Sequence, residues 1–115
     1  MIETWIREIK AEDSDGKVGM ILIHNGIVRA FSKDGSPVKG MRLAYDKGQL
    51  EAVLKDFRYR DGIVRIKVWI NEGNLKVGDN IMYVVVAGRF RTDIMPVFEN
   101  LITTIKKEVV IETEI

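Results

Sequence analysis

The sequence predicts an α+β fold, with helices packed on one face of a mainly antiparallel sheet. Three observations carry that prediction. Three separate stretches place apolar residues at i, i+3, i+4 and i+7, the stripe of an amphipathic helix. Around them lie β-branched runs too short for helices. Asp34-Gly35 is a strong hairpin signal and so favours antiparallel neighbours, while the helical crossovers still permit some parallel pairing.

The first stripe is Ile2, Trp5, Ile6 and Ile9, and Asp13-Ser14-Asp15-Gly16 breaks it. So short a helix is marginal alone and must pack. Val18 to Ile23 reads as a strand buried on both faces that ends at His24-Asn25-Gly26. Ile27 to Phe31 continues extended, and beyond the Asp34-Gly35 turn Val38 to Tyr45 returns with Met41, Leu43 and Tyr45 on one face. Asp46 caps the second helix, whose stripe is Leu50, Val53, Leu54 and Phe57 and whose expected C′ residue is Gly62. Ile63 to Ile70 alternates Val64, Ile66, Val68 and Ile70 against Arg65, Lys67 and Trp69, which is strand period. A turn-rich segment, Asn71 to Asn80, leads to a second buried strand from Ile81 to Val86. Asp93 opens the third helix, with Pro96 in the first turn, where a missing N–H costs nothing. Ile94, Val97, Phe98, Leu101, Ile102 and Ile105 form its apolar face, and Val109-Val110-Ile111 reads as the last strand. No linker or repeat interrupts the 115 residues, so one domain spanning 1–115 is expected.

Composition narrows function by exclusion. Eighteen Lys+Arg against seventeen Asp+Glu leave a net charge of +1, so no global field draws the chain to nucleic acid or membrane, and any anion site must be local. With no cysteine, disulfides, thiolate metal sites and a cysteine nucleophile are excluded, and a lone His24 excludes a multi-histidine metal site within one chain. The first residues lack a basic region followed by an apolar core, and no apolar run approaches the roughly eighteen residues of a membrane span. A cytoplasmic location is the expectation.

No phosphate loop, dinucleotide fingerprint or Gly-x-Ser-x-Gly elbow is present. Basic residues do recur at the ends of apolar elements. Arg29 follows His24-Asn25-Gly26-Ile27-Val28, Arg89 and Arg91 follow the second buried strand, and Lys106-Lys107 end the third helix. Position alone explains each of them. Lysines in a last turn favour the negative end of the helix dipole, arginines flanking a strand are usually solvated, and a histidine beside Asn-Gly is ordinarily a half-buried hydrogen-bonding residue.

Order and spacing add more than position. His24-Asn25-Gly26-Ile27-Val28-Arg29 is similar to a Phe-x-Gly-x-Val-Arg segment, followed by Asp34-Gly35, Val38 and Leu43-x-Tyr45. Gly73-Asn74-Leu75-Lys76-Val77-Gly78-Asp79 is similar to a Gly-x-Leu-x-Val-Gly-Asp/Glu turn, and Ala87 to Lys106 matches a His-Arg-to-Lys segment. Together, from about Lys17 to Ile111, these resemble the large, catalytic subunit of molybdopterin synthase, the MoaE family. The resemblance implies an α/β hammerhead fold and addition of two sulfurs to cyclic pyranopterin monophosphate to form the dithiolene of molybdopterin, a sulfurtransferase reaction. It implies as partner a small ubiquitin-like sulfur-carrier subunit whose thiocarboxylated C-terminal Gly-Gly tail enters the pocket. No resident cofactor is implied.

By that resemblance Lys106 is the catalytic lysine, and Arg29 and Arg91 are substrate-binding, with His24 and Lys107 beside them. Arg91 and Lys106 lie fifteen residues apart along one helix, about 22 Å at 1.5 Å per residue, so one small pocket cannot take both from the same chain. Resemblance and geometry together predict a homodimer, within a heterotetramer, whose sites lie near the dimer interface. Five positions depart from the pattern. The second family lysine falls near Thr113, Glu112 and Glu114 bring negative charge to that stretch, Phe90 replaces the histidine before Arg91, and His24 replaces a phenylalanine. Lys107 and Lys39 are the cations considered as replacements for the lost lysine. The alternative to an active synthase is a weakened paralogue that binds a pterin phosphate or a ubiquitin-like tail without turnover.

Overall fold

A computed structural model describes residues 1–115 and contains three α-helices, six strands and one π-helical turn. The helices are α1 (Ile2–Glu12), α2 (Lys47–Arg58) and α3 (Arg91–Thr104), and the π-turn is Ile105–Val109. The strands are β1 (Met20–Ile27), β2 (Gly40–Tyr45), β3 (Ile63–Ile70), β4 (Gly73–Lys76), β5 (Asn80–Gly88) and β6 (Val110–Glu114). They form two three-stranded sheets, β1-β5-β3 and β4-β2-β6, antiparallel throughout. No helix is long and apolar enough to cross a membrane.

β5 is the centre of the first sheet, and its Val-Val-Val run is buried because both faces are covered. Val84 and Val86 join the main core with Ile66, Leu50, Leu54, Phe57, Ile94 and Leu101, beneath α2 and α3. Val85 and Ala87 point the other way, into a smaller core closed by Ile9, Trp5, Val18 and Ile21. Thus α2 and α3 share one face as expected, and α1 covers the other. The alternation seen in β3 explains why α1 stays there: Lys67 and Arg65 project toward it and pair with Glu8 at 2.6 Å and Glu12 at 3.0 Å. Exposed pairs of this kind add at most about 1 kcal/mol each, so they orient a helix that burial of Ile9 retains.

Several boundaries differ from expectation. β1 does not stop at His24-Asn25-Gly26 but runs through it, because His24, Asn25 and Gly26 pair with Val84, Tyr83 and Met82. The register slips only between Gly26 and Ile27, and Gly26 lacks the positive φ an Asn-Gly hairpin turn requires. α2 ends at Arg58, four residues before the φ of +78° at Gly62, so Gly62 serves the turn into β3 and not the helix C-terminus. α3 begins at Arg91, which puts Asp93 inside its first turn, where a carboxylate favours the positive end of the helix dipole. Within Asn71 to Asn80 lies β4, held to β2 by the Leu75↔Met41 register with Leu75 buried. Lys106 and Lys107 lie in the π-turn beyond α3, not in its last turn.

Leu101 is wholly buried between α3 and the first sheet. Leu101→Ala is expected to lower unfolding free energy by about 3 kcal/mol, read as a reduced urea midpoint at unchanged m-value. A loss below about 1 kcal/mol would contradict this packing.

Candidate functional site

The chain leaving β1 is tied down before it exposes a functional side chain. Val28 is buried, its N–H donates to the Asp79 carbonyl at 3.0 Å, and its carbonyl accepts from Gly78 N–H at 2.9 Å. Arg29 therefore projects from a fixed backbone. The following loop closes as a tight hairpin, with Val38 N–H on the Ala30 carbonyl at 2.9 Å and a single bridge between Phe31 and Pro37. Asp34 organises its tip, accepting from the Ser32 hydroxyl and from Ser36 N–H, and Gly35 supplies the φ of +89°. Those bonds, Ser32 first and Ser36 next, hold the Asp34 carboxyl down at about 2.

Lys106 arrives from the other end of the chain. Ile105 and Val109 anchor the π-turn in the core and leave Lys106, Lys107 and Glu108 outside. π-turns of this kind are often found at functional sites. The Asp46 N–H pins the Val109 carbonyl at 3.0 Å, and β6 then runs back along β2 with Glu112 opposite Leu43 and Glu114 opposite Met41.

These segments enclose an open cleft of about 800 Å³ between the end of β1, the hairpin, the π-turn and β6. Its charged lining is balanced: Arg29, Lys33 and Lys106 against Asp34, Glu112 and Glu114. Lys106 Nζ lies 3.7 Å from Glu112 Oε1, an ion pair too long to be a hydrogen bond. Donors on the ammonium thus remain available to a ligand. His24 stands behind the cleft wall, where Gly26 leaves room for it; a Cβ at Gly26 would come 3.2 Å from His24 Nε2. Burial lowers the His24 pKa below its ordinary 6.5, the Lys106 charge lowers it further, and Glu112 opposes both. Neither His24 Nε2 nor the buried Glu112 Oε1 has a hydrogen-bond partner in the protein.

Of the five residues singled out by sequence, the structure gathers Arg29, Lys106 and, behind them, His24. Arg91 is exposed at the far end of α3, and neither it nor Lys107 lines the cleft. Lys39 is also absent from the lining; the third cation there is Lys33, which sequence reasoning passed over. Arg89 keeps its structural reading, with its guanidinium engaged by Asp93 at 3.2 Å and Asp61 at 3.4 Å. No three His, Cys, Asp or Glu side chains converge as metal ligands. Chemically, the cleft offers a guanidinium suited to a bidentate oxyanion and two ammonium donors.

Comparison with known proteins gives one consistent picture. The family model described as MoaE protein matches residues 3–108. An uncharacterized protein of Methanocaldococcus jannaschii is 32% identical over 100 residues, 84% of either chain. A probable molybdopterin synthase of Haloferax volcanii is 29% identical over 113 residues, which are 94% of this chain and 43% of that protein, so this chain spans less than half its length. The MoaE protein of Burkholderia ambifaria superposes with a TM-score of 0.77 at 21% identity, covering 97% of this chain and 74% of that one. A complex of subunits 1 and 2 of the molybdopterin-converting factor from Helicobacter pylori gives 0.74 at 18% identity, covering 98% and 77%.

Asp34 yields a pH prediction. Its folded pKa lies below the ordinary 3.8, so the stabilisation it contributes to the hairpin is complete above that value and is lost as pH falls through about 2. Carboxyl carbon NMR should show a midpoint near 2, and Ser32→Ala should move it up toward 3.8. An unmoved midpoint would show that the Ser32 hydroxyl does not hold this carboxylate.

Proposed function

The chain belongs to the MoaE protein family, and from that premise we propose that it acts in molybdenum cofactor biosynthesis as the large subunit of a molybdopterin synthase. The observation that carries this reading is the convergence of Arg29 and Lys106, 77 positions apart, on one cleft. The Haloferax relative and the two-subunit Helicobacter complex support it as likenesses. In this reading a small ubiquitin-like subunit inserts its thiocarboxylated Gly-Gly tail, whose sulfur bonds to a carbon of cyclic pyranopterin monophosphate in the cleft as an oxygen leaves that carbon. Water then adds to the tail carbonyl of the resulting thioester and cleaves its C–S bond, leaving the sulfur on the pterin and the tail as a carboxylate. A second tail delivers the second sulfur. Arg29 pairs with the substrate phosphate. The Lys106 ammonium stands by the tail carbonyl and stabilises negative charge that builds there. A chain without cysteine suits the task, because the partner brings the sulfur.

Arg91 serves the site of a second copy in this proposal. α3 runs from Arg91 to Thr104, with Lys106 beyond it, so the two cations leave opposite ends of one helix. The assembly proposed is a homodimer of this chain carrying two small subunits, in the cytoplasm, as one domain with its sites near the dimer interface.

Glu112 and Glu114 in the cleft, with Thr113 in place of a lysine, favour a second reading, in which the chain binds a pterin phosphate or a ubiquitin-like tail without turnover. Incubation with a thiocarboxylated small subunit and cyclic pyranopterin monophosphate separates the two. The synthase reading expects molybdopterin, and tight binding without product selects the other. Lys106→Ala should cut turnover by about a hundredfold, the scale of losing a charge-stabilising donor. Arg29→Ala should act mainly on KM for the pterin, by about tenfold. Sedimentation at micromolar concentration should find a dimer; a monomer with full activity would remove Arg91 from the shared site.

A further inference from the structure

Three polar groups gather at the cleft wall without being neighbours in sequence, Lys106 and Glu112 in its lining and His24 behind it. Lys106 comes from the π-turn, Glu112 from β6 and His24 from β1. The Glu112 side chain is only 21% exposed and Lys106 is 47% exposed, so the carboxylate lies inward of the ammonium. Two of the three present a buried polar atom with no protein hydrogen bond, Glu112 Oε1 and His24 Nε2. A buried carboxylate oxygen is costly unless a charge compensates it, and the one cation paired with this oxygen is Lys106.

We propose that Glu112 is a positioning residue for Lys106, its carboxylate drawing the ammonium to the cleft wall without occupying its hydrogen-bond donors. The chemistry of this inference rests on the synthase reading; its geometry does not. At 3.7 Å the attraction restrains where Nζ sits and leaves its N–H groups free to bind a ligand in the cleft that Arg29 also lines. Glu112 therefore has a purpose other than weakening the cleft's positive charge. The remaining charged groups lining the cleft are Arg29, Lys33, Asp34 and Glu114. None of these is among the causes that shift His24, so His24 reports on Lys106 and Glu112.

His24 is the only histidine, which makes its imidazole protons a clean NMR probe in the intact chain. The wild type should titrate below 6.5. Lys106→Met should raise the midpoint, because a lowering charge is removed, and Glu112→Gln should lower it, because an opposing one is removed. Glu114→Gln should leave it in place. Midpoints unmoved by both Lys106→Met and Glu112→Gln, in proteins with dispersed, folded spectra, overturn the proposal.

Turnover gives the second readout, and its sign discriminates. If Glu112 positions Lys106, Glu112→Gln lowers kcat about tenfold at nearly unchanged KM, and Glu112→Asp recovers part of the loss. If Glu112 merely repels anionic substrate, Glu112→Gln lowers KM with kcat unchanged or raised, and the proposal fails. A wild type that makes no molybdopterin yet shows both midpoint shifts refutes the synthase reading while upholding the Lys106, Glu112 and His24 unit.

Discussion

The fold hangs on one strand that is buried on both faces. β5 pairs with β1 on one side and β3 on the other, and residues from Met82 to Ala87, Tyr83 excepted, lose all contact with solvent. Its alternation from Met82 to Ala87 assigns the helices to their layers, because Met82, Val84 and Val86 join the core under α2 and α3 while Val85 and Ala87 join the one under α1. A one-residue slip would exchange those two faces and leave both helix layers against the wrong side chains. The position of β1 along β5 also determines where His24 lies, opposite Val84, and hence what stands behind the cleft.

The cleft is built at the margin of this scaffold, where the second sheet meets the end of the first. Its six charged groups come from the hairpin after β1, the π-turn and β6, and three positive charges face three negative ones. Such a site carries little net field. It would select a ligand by the geometry of particular donors, a guanidinium and two ammonium groups, more than by long-range attraction. A net charge of +1 over the whole chain and a local oxyanion site are therefore compatible.

Elements with a full period were legible and those below one period were not. The start and buried face of α2, though not its end, are legible from Asp46, whose carboxylate accepts from Gln49 N–H at 3.0 Å, and from its four-residue stripe, because capping and burial are both local in sequence. The β3 alternation was equally clear. β4 was invisible because four residues with one buried side chain, Leu75, make no pattern, and its pairing with β2 is a tertiary fact. Asn25-Gly26 misled in the opposite direction: a local turn preference yielded to eight residues of pairing with β5. Arg29 and Lys106, which line the cleft, stand out in sequence through ordered motifs. Lys33 was missed because nothing local separates a loop lysine that lines a cleft from one that does not.

The sequence by itself determined the class of fold, most helix and strand identities, family resemblance and the short set of candidate cations. These follow from periodicity, capping and spacing, which are written within a few residues of each other. Tertiary structure alone decided that α1 takes the opposite face of the first sheet, that Lys33 joins Arg29 and Lys106, and that His24 and Glu112 come within reach of Lys106's charge. Residues 24, 106 and 112 meet only through the β1–β5 and β2–β6 registers and the π-turn between α3 and β6. Coulomb interaction and desolvation act through space over a few ångströms, so they become readable once those registers are known.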